Sequence, residues 1–352
     1  GVVVSVFSSL TKSFVQDLAI DLGTANTLVC TQKHGIVIRE PSVVAVKRMS
    51  QAEMRILAVG QVAKEMMGRT PRGVETIRPL KDGVISDFDI AQEMLSYFIR
   101  ETQQQFSALK SKPRIVIAIP SGITQVERRA VREAALLAGA KEVFLIEEPM
   151  AAAIGAGLPV QDATGSLIVD IGGGTTEVAV ISLASIVFSD SSRVGGDVMD
   201  DTISQYAKQK YNLLIGERTA ENVKILLGNA IERSATHQTM EVRGRDVISG
   251  VPKTLLFHES EIRTCLADNC AAIVKLVKKA LEQTPPELAA DIVEKGIFLA
   301  GGGSMLAGLD KLLSEEVNLK VMHADDPLSC VALGTLKVLA ELDLLAQIEL
   351  NN

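Results

Sequence analysis

The sequence predicts an α/β chain built from two duplicated halves, and three observations carry that reading. The chain has 352 residues, too many for one ordinary hydrophobic core. Apolar strand-length runs alternate with amphipathic helix-length segments in both halves, the pattern of a mostly parallel sheet covered by helices. One motif, Asp-aliphatic-Gly-x-x-x-Thr-x-Val, occurs twice, at Asp21–Val29 and Asp170–Val178, with 149 residues between equivalent positions.

Each copy follows an apolar strand (Leu18–Ile20; Leu167–Val169) and runs into another (Thr27–Cys30; Glu177–Ile181). Strand, tight polar turn and strand make a β-hairpin, with glycine where the chain must turn or let a ligand approach. Further along the first half, Arg114–Ile119 reads as a buried strand, Thr124–Ala138 as a helix, Glu142–Ile146 as a strand and Met150–Ala156 as a helix. The second half continues with helices over Asp201–Lys210, Thr219–Leu227 and Ile262–Leu281. A strand, Gly296–Leu299, then leads into Gly301-Gly302-Gly303-Ser304. Pro41–Pro79 and Arg193–Pro252 read as insertions into the two halves.

Composition narrows the function. Hydrophobic residues make up 47% and charged residues 22%, enough to build large cores and to exclude a disordered chain. Aromatic content is 3% with no Trp, and net charge is −7, so neither a stacking platform nor a basic field points to nucleic acid. The cysteines (Cys30, Cys265, Cys270, Cys330) and histidines (His34, His237, His258, His323) are scattered without metal-ligand spacing, which argues for incidental thiols in a reducing compartment. No apolar run is long enough to span a bilayer, and the N-terminal stretch lacks the basic start and small-residue cleavage site of a signal peptide.

The chemistry concentrates at the repeated turns. Backbone N–H groups on a Gly-rich turn form a concave anion site, and two such turns can grip the β- and γ-phosphates of a nucleotide. Asp21 and Asp170, at strand ends, suit Mg²⁺ held through its waters. Either hairpin alone reads more readily as an ordinary glycine turn; the same Asp-Gly-Thr order twice reverses that balance in favour of the phosphate reading. Glu147-Glu148-Pro149 sits where a strand meets a helix, the place where α/β proteins put ligands. Both acids could simply favour the helix dipole. Alternatively one orients and partly deprotonates an attacking water, and Glu148, next to the proline that fixes the helix start, is the choice. Glu221 and Lys224 share a helix face and read either as a surface ion pair or as ligand contacts. Gly301–Ser304 reads either as a plain loop or as a close-approach seat for adenosine.

These segments resemble the actin/Hsp70/sugar-kinase ATPase superfamily and, within it, the bacterial actins. The resemblance is carried by IDLGTANTLV (20–29), EPSVVAV (40–46), VERRAVREA (126–134), FLIEEPMAAAIGAG (144–157), VDIGGGTTEVAVISL (169–183), IGERTAENVK (215–224) and the run ending LAGGGSML (to 306), and it spans Asp17 to Leu345. It implies an actin-like duplicated fold, two ribonuclease-H-like halves divided into four subdomains around a central nucleotide cleft. Subdomain IA would hold residues 17–40, 78–157 and 331–352, and IB residues 41–77. IIA would hold 158–192 and 257–330, and IIB 193–256, with 1–16 a separate membrane-binding segment. ATP or ADP with Mg²⁺ would meet Thr24, Ala25 and Asn26 on one side and Gly173, Gly174 and Thr175 on the other. Glu221, Asn222, Val223 and Lys224, with Gly301, Gly302, Gly303 and Ser304, would contact adenosine, while Glu148 and Thr175 would handle the attacking water.

The resemblance further implies an ATPase that polymerises into antiparallel double filaments on the inner face of the cell membrane, organising cell-wall synthesis and rod shape. Partners would be further copies of itself, inner-membrane lipids, RodZ, MreC, MreD and wall-synthesis enzymes. The helix matching Gln125–Leu137 would face the sister filament through Val126, and Phe106 and Leu109 match a membrane-dipping loop. On a helical wheel Val3, Val6, Phe7, Leu10 and Phe14 share one arc opposite Ser5, Ser9, Lys12 and Gln16, the pattern of an interfacial helix; a frayed tail is the alternative. A chaperone ATPase of the Hsp70 class, which would add a substrate-binding region, and a small-molecule kinase, which would need a base for a hydroxyl substrate, stay open as alternatives.

Overall fold

The computed structural model describes residues 17–49, 54–106, 112–232 and 238–351. Its first hairpin is β1 (Leu18–Leu22) and β2 (Asn26–Thr31), extended by β3 (Gly35–Pro41). An insertion follows with β4 (Val44–Arg48), β5 (Met54–Val59), α1 (Gln61–Met66) and β6 (Val74–Ile77), then the short pair β7 (Leu80–Lys81) and β8 (Val84–Ile85). Next come α2 (Phe88–Phe106), β9 (Arg114–Ile119), α3 (Gln125–Leu137), β10 (Glu142–Glu147) and α4 (Glu148–Gly155).

The second hairpin is β11 (Ser166–Ile171) and β12 (Thr176–Ser182), extended by β13 (Ser185–Ser192). It is followed by α5 (Gly196–Tyr211), β14 (Leu213–Leu214), α6 (Glu217–Leu227), β15 (Thr239–Asp246), β16 (Pro252–His258) and α7 (Glu259–Glu282). The chain then runs through α8 (Pro286–Lys295), β17 (Ile297–Ala300), a 3₁₀ turn at Gly302–Met305, α9 (Leu309–Val317) and β18 (Val321–His323). It closes with α10 (Cys330–Ala340) and α11 (Leu342–Asn351). Two compact units result: the described parts of Gly1–Met66, Thr70–Val160 and Ser329–Asn352 form the first, and Met67–Arg69 with Gln161–Leu328 form the second.

Each unit is organised around a five-stranded sheet, and the two sheets have one topology. In order β10-β9-β1-β2-β3 the first two pairings are parallel and the last two antiparallel. In order β18-β17-β11-β12-β13 the same succession recurs. The sheets are therefore mixed rather than mostly parallel. The reason lies in the connections: a tight turn can only return the chain antiparallel, whereas parallel neighbours need a crossover.

Strand alternation sets the layers. In the first unit Leu18, Ile20, Leu22, Ile115, Ile117 and Ile119 are fully or nearly fully buried in one core with Met94, Leu95 and Phe98 of α2 and Val131 and Ala134 of α3. Ala19, Val116 and Ala118 alternate with them and are also buried; α10 packs on β1 and β9. Asp21 belongs to that second set. The pair α4 and α10 crosses at backbone contact, since a Cβ on Gly334 would lie 1.7 Å from the Ala151 carbonyl and one on Gly155 1.9 Å from that of Cys330. Lys337 Nζ donates to Ile154 O at 2.9 Å, satisfying a terminal carbonyl of α4. In the second unit Leu167, Val169, Ile171, Val178 and Val180 pack with Met199 and Ile203 of α5 and Ile262, Leu266 and Ile273 of α7.

A polar clamp joins the last turn of α5 to the start of α7. Glu261 accepts from Tyr206 Oη at 2.8 Å, Tyr211 Oη at 2.5 Å, Lys210 Nζ at 3.0 Å and the His258 amide at 2.7 Å. Burial opposes its charge, but those hydrogen bonds outweigh it and hold the carboxyl at about 2. A carboxyl lowered in the folded state contributes stability above its unfolded value and loses it as pH falls through the folded one. Glu261→Gln is accordingly expected to cost on the order of 2 kcal/mol at pH 7. In urea unfolding the gap to wild type should shrink as pH falls from about 4.5 towards about 2. A gap independent of pH would contradict the charged clamp.

Candidate functional site

The first repeated turn joins β1 to β2 across Gly23, Thr24 and Ala25. Two of its carbonyls are committed to Ser42, which follows β3: Ser42 Oγ donates to Gly23 O at 2.6 Å and its amide to Ala25 O at 3.0 Å. Ser42 is fully buried, and its hydroxyl also meets Thr27 Oγ1 at 2.9 Å. A trans peptide points its C=O and N–H to opposite sides. With Gly23 O turned to Ser42, the Thr24 amide faces the other way. Thr24 Oγ1 accepts the Gly83 amide at 3.0 Å, so its side chain is anchored and its backbone is what the turn presents.

The second turn, Gly172–Thr175, is held by the same logic with different parts. Its ends close through Gly172 N to Thr175 O at 2.8 Å. The first amides of α5 take the next two carbonyls, Gly196 N to Gly172 O at 3.0 Å and Asp197 N to Gly173 O at 2.8 Å. Helix N-termini carry unpaired amides, and here they are spent on turn carbonyls. The amides of Gly173 and Gly174 consequently point away from α5 as a pair of anion donors. Gly195 is needed for the approach, because a Cβ there would lie 2.4 Å from Gly173 O.

Asp170 ends β11 beside this turn, 5% exposed, and burial pushes its carboxyl up to about 7. Gly301 lies directly against it: at φ +80°, a Cβ would stand 2.4 Å from Asp170 Oδ1 and 2.3 Å from Ile171 O. The Gly301–Ser304 turn thus abuts the phosphate-type turn within one unit. Ser304 is fully buried, its hydroxyl bonded to Gly301 O at 2.7 Å and its carbonyl 2.9 Å from His323 Nε2. The Ser304 side chain therefore shapes the turn from within rather than facing a ligand. Among the described residues no three His, Cys, Asp or Glu side chains cluster to cage a metal.

On α6, Glu221 is half-buried and Asn222 exposed, while Val223 is fully buried in the core and offers a ligand only its backbone. Lys224 does not extend to the surface as a free cation: its Nζ donates to Gly196 O at 2.8 Å and sits 2.9 Å from the Asp200 carboxylate. At the start of α4 the paired acids separate. Glu147 accepts from Arg128 at 2.7 Å and from Ser121 Oγ at 2.8 Å, occupying both oxygens. Glu148 is the first residue of α4 and is half-buried. Thr175 is half-buried in its turn.

Of the remaining positions, Val126 stands 79% exposed on the first turn of α3, whose start is fixed by a Thr124–Glu127 capping box. Phe106 is half-buried at the end of α2, its ring 4.8 Å from that of His34. Val3, Phe7, Leu10, Phe14 and Leu109 lie outside the described residues. No described helix is long and apolar enough to cross a membrane. The four cysteines are not disulfide-bonded, and burial with Asp21 nearby holds Cys30 at about 12, unsuited to nucleophilic chemistry. Ser42, Gly195, Gly196, Asp200 and His323 support the turns and were not singled out in the sequence. The visible signal was Ser42 directly after Pro41.

A duplicated mixed sheet, each copy carrying an Asp-led turn whose carbonyls are tied down within its own unit, defines an actin-like protein. The chain belongs to the MreB/Mbl family, whose model matches residues 15–347. It is 52% identical over 332 residues to the cell shape-determining protein MreB of Escherichia coli K12, covering 94% of this chain and 95% of that one. Against the cell shape-determining protein Mbl of Bacillus subtilis 168 it is 47% identical over 338 residues, 96% of this chain and all of the other. The crystal structure of MreB5 of Spiroplasma citri bound to ADP superposes with a TM-score of 0.87 at 36% identity, covering 96% of this chain and 98% of that one. The same protein bound to AMPPNP gives 0.86.

Gly301→Ala tests the packing of the two adjoining turns. Its left-handed backbone and the blocked Cβ position predict a loss of about 3 kcal/mol in urea unfolding. An unchanged midpoint would contradict the close approach to Asp170.

Proposed function

We propose that this chain binds ATP with Mg²⁺, hydrolyses it slowly, and uses the nucleotide to time its assembly into antiparallel double filaments on the inner face of the cell membrane, where it organises cell-wall synthesis and maintains rod shape. The observation that supports nucleotide binding most strongly is the commitment of the Gly172 and Gly173 carbonyls to α5, which turns two adjacent amides away from that helix as donors for phosphate oxygens. The likeness to a protein bound to ADP and AMPPNP agrees with it. Thr24, Ala25 and Asn26 form the matching contacts on the first turn, and Gly301–Gly303 with Glu221 and Asn222 take the adenosine.

Mg²⁺, when bound near Asp21 and Asp170, supplies positive charge to the phosphate oxygens. Glu148 orients the attacking water and draws off its proton, with Thr175 as the second polar contact. Both oxygens of Glu147 accept hydrogen bonds, from Arg128 and Ser121, which favours Glu148 for that role. For assembly, Val126 on α3 is an exposed apolar residue suited to a contact between filaments. Val3, Phe7, Leu10 and Phe14, with Phe106 and Leu109, are the membrane contacts in this reading, and the four-subdomain boundaries follow the resemblance.

The test is sedimentation with ATP, Mg²⁺ and liposomes, with phosphate release followed in parallel. Wild type should pellet with the lipid, and Glu148→Ala should retain ATP while releasing phosphate about 100-fold more slowly. A wild type that stays in the supernatant contradicts the filament, and undiminished release in Glu148→Ala contradicts the assignment of that residue.

A further inference from the structure

Glu147 is the last residue of β10 and the cap of α4, so it stands at the junction that sets the direction of Glu148. An acid at a helix start ordinarily serves the helix, through its amides or its dipole. Here the Glu147 side chain makes no capping bond to α4, and both its oxygens are turned to other elements. Arg128 Nη2 donates to Oε1 at 2.7 Å, and Ser121 Oγ donates to Oε2 at 2.8 Å. The Arg128 and Glu147 side chains are 29% and 15% exposed, and Ser121 is buried. Ser121 lies just past β9, whose Ile119 stands opposite Glu147 in parallel register. Arg128 belongs to α3, which is seated in the same core through Val131 and Ala134 and started by its capping box. One carboxylate thus ties a strand end and a helix to the point where β10 becomes α4. Such a pair adds little net stability, because desolvation offsets the attraction, but its geometry is exacting.

We propose that Arg128, Ser121 and Glu147 are positioning residues for the hydrolytic step: by tying the Glu147 carboxylate to α3 and to the end of β9, they fix the strand-to-helix junction and aim Glu148 at the attacking water. The proposal rests on the ATP-hydrolysis reading of this site and deepens it. Glu148 is bracketed on both sides, by the anchored Glu147 before it and by Pro149, with its fixed φ, after it. Losing either tie frees the junction to rotate, which swings the Glu148 side chain off its line. Displacing a catalytic group by about 1 Å costs on the order of 100-fold in rate.

The test follows phosphate release against ATP concentration, with Mg²⁺ and liposomes, and divides each rate by the pelleted protein so that lost assembly is not counted as lost chemistry. Arg128→Met and Glu147→Ala should each lower kcat about ten-fold or more, with KM for ATP held within about two-fold. Arg128→Lys, which can supply one N–H to Oε1, should recover most of the rate. Because the residues act as a unit, the double variant Arg128→Met with Glu147→Ala should be no slower than the slower single variant. Should Arg128→Met fail to fold, Ser121→Ala removes the other tie and should lower kcat about three-fold at unchanged KM. Unchanged kcat in the folded variants would overturn the proposal, as would a raised KM at full kcat, the mark of a binding contact. Losses that multiply in the double variant would also overturn it. If the wild type releases no phosphate, or Glu148→Ala releases it at the full rate, the hydrolytic reading itself falls, and the positioning role with it.

Discussion

A trans peptide cannot turn its carbonyl and its amide to the same side, and the site depends on that constraint more than on any side chain. At Gly23, Gly172 and Gly173 the carbonyls are captured by donors inside the protein, and the amides that follow point away from those donors. Capture requires backbone to approach backbone, so glycines stand where any Cβ would collide: Gly195 over Gly173 O, and Gly301 over Asp170 and Ile171 O. The large cores serve this geometry. The sheet of the second unit fixes β11 and β12, α5 packs on that sheet through Met199 and Ile203, and the N-terminus of α5 arrives under the turn as a result. Glu261 then secures the far end of the same helix through two tyrosines and a lysine.

The two units share topology and motif but hold their turns with different means. In the first, a single buried residue, Ser42, supplies both the hydroxyl and the amide that take the carbonyls of Gly23 and Ala25. In the second, a helix N-terminus does the work, and it is in turn held by Lys224 and Asp200. A hydroxyl on a strand end has few neighbours to report to. A helix extends its position over its whole length and over whatever packs on it, so the second turn is the one whose geometry is linked to a larger part of its unit. In the first unit the helix that begins at Glu148 is met at backbone contact by α10, where Gly155 and Gly334 allow the approach.

The hairpins, the strands β9, β10 and β17 and the helices α3, α6 and α7 were legible because apolar periodicity and turn chemistry agree there. Thr124 followed by Glu127 marks the start of α3 as sequence reasoning expects. The start of α5 was not legible: Gly195 and Gly196 read as loop on propensity, yet the helix begins at Gly196, five residues before Asp201, because tertiary hydrogen bonds to Gly172 and Gly173 override propensity. The mixed sheets were hidden by the α/β alternation, although the hairpins themselves already required antiparallel pairs. At the site, sequence could nominate Lys224, Val223 and Ser304 but not show which way they face. Lys224 turns to Asp200, Val223 to the core and Ser304 into its own turn, outcomes decided by packing over separations that local pattern does not encode. The partners that hold Glu147, Arg128 and Ser121, were likewise not visible in local pattern.

The most direct test of the account is amide NMR of the labelled protein at Thr24, Gly173 and Gly174, titrated with ADP and Mg²⁺ and, separately, with adenosine. Outward-facing donors predict large shifts and slowed hydrogen exchange at these three amides with ADP, and little change with adenosine. Resonances that stay unmoved while ADP binds elsewhere would contradict the claim that captured carbonyls aim the turns at phosphate.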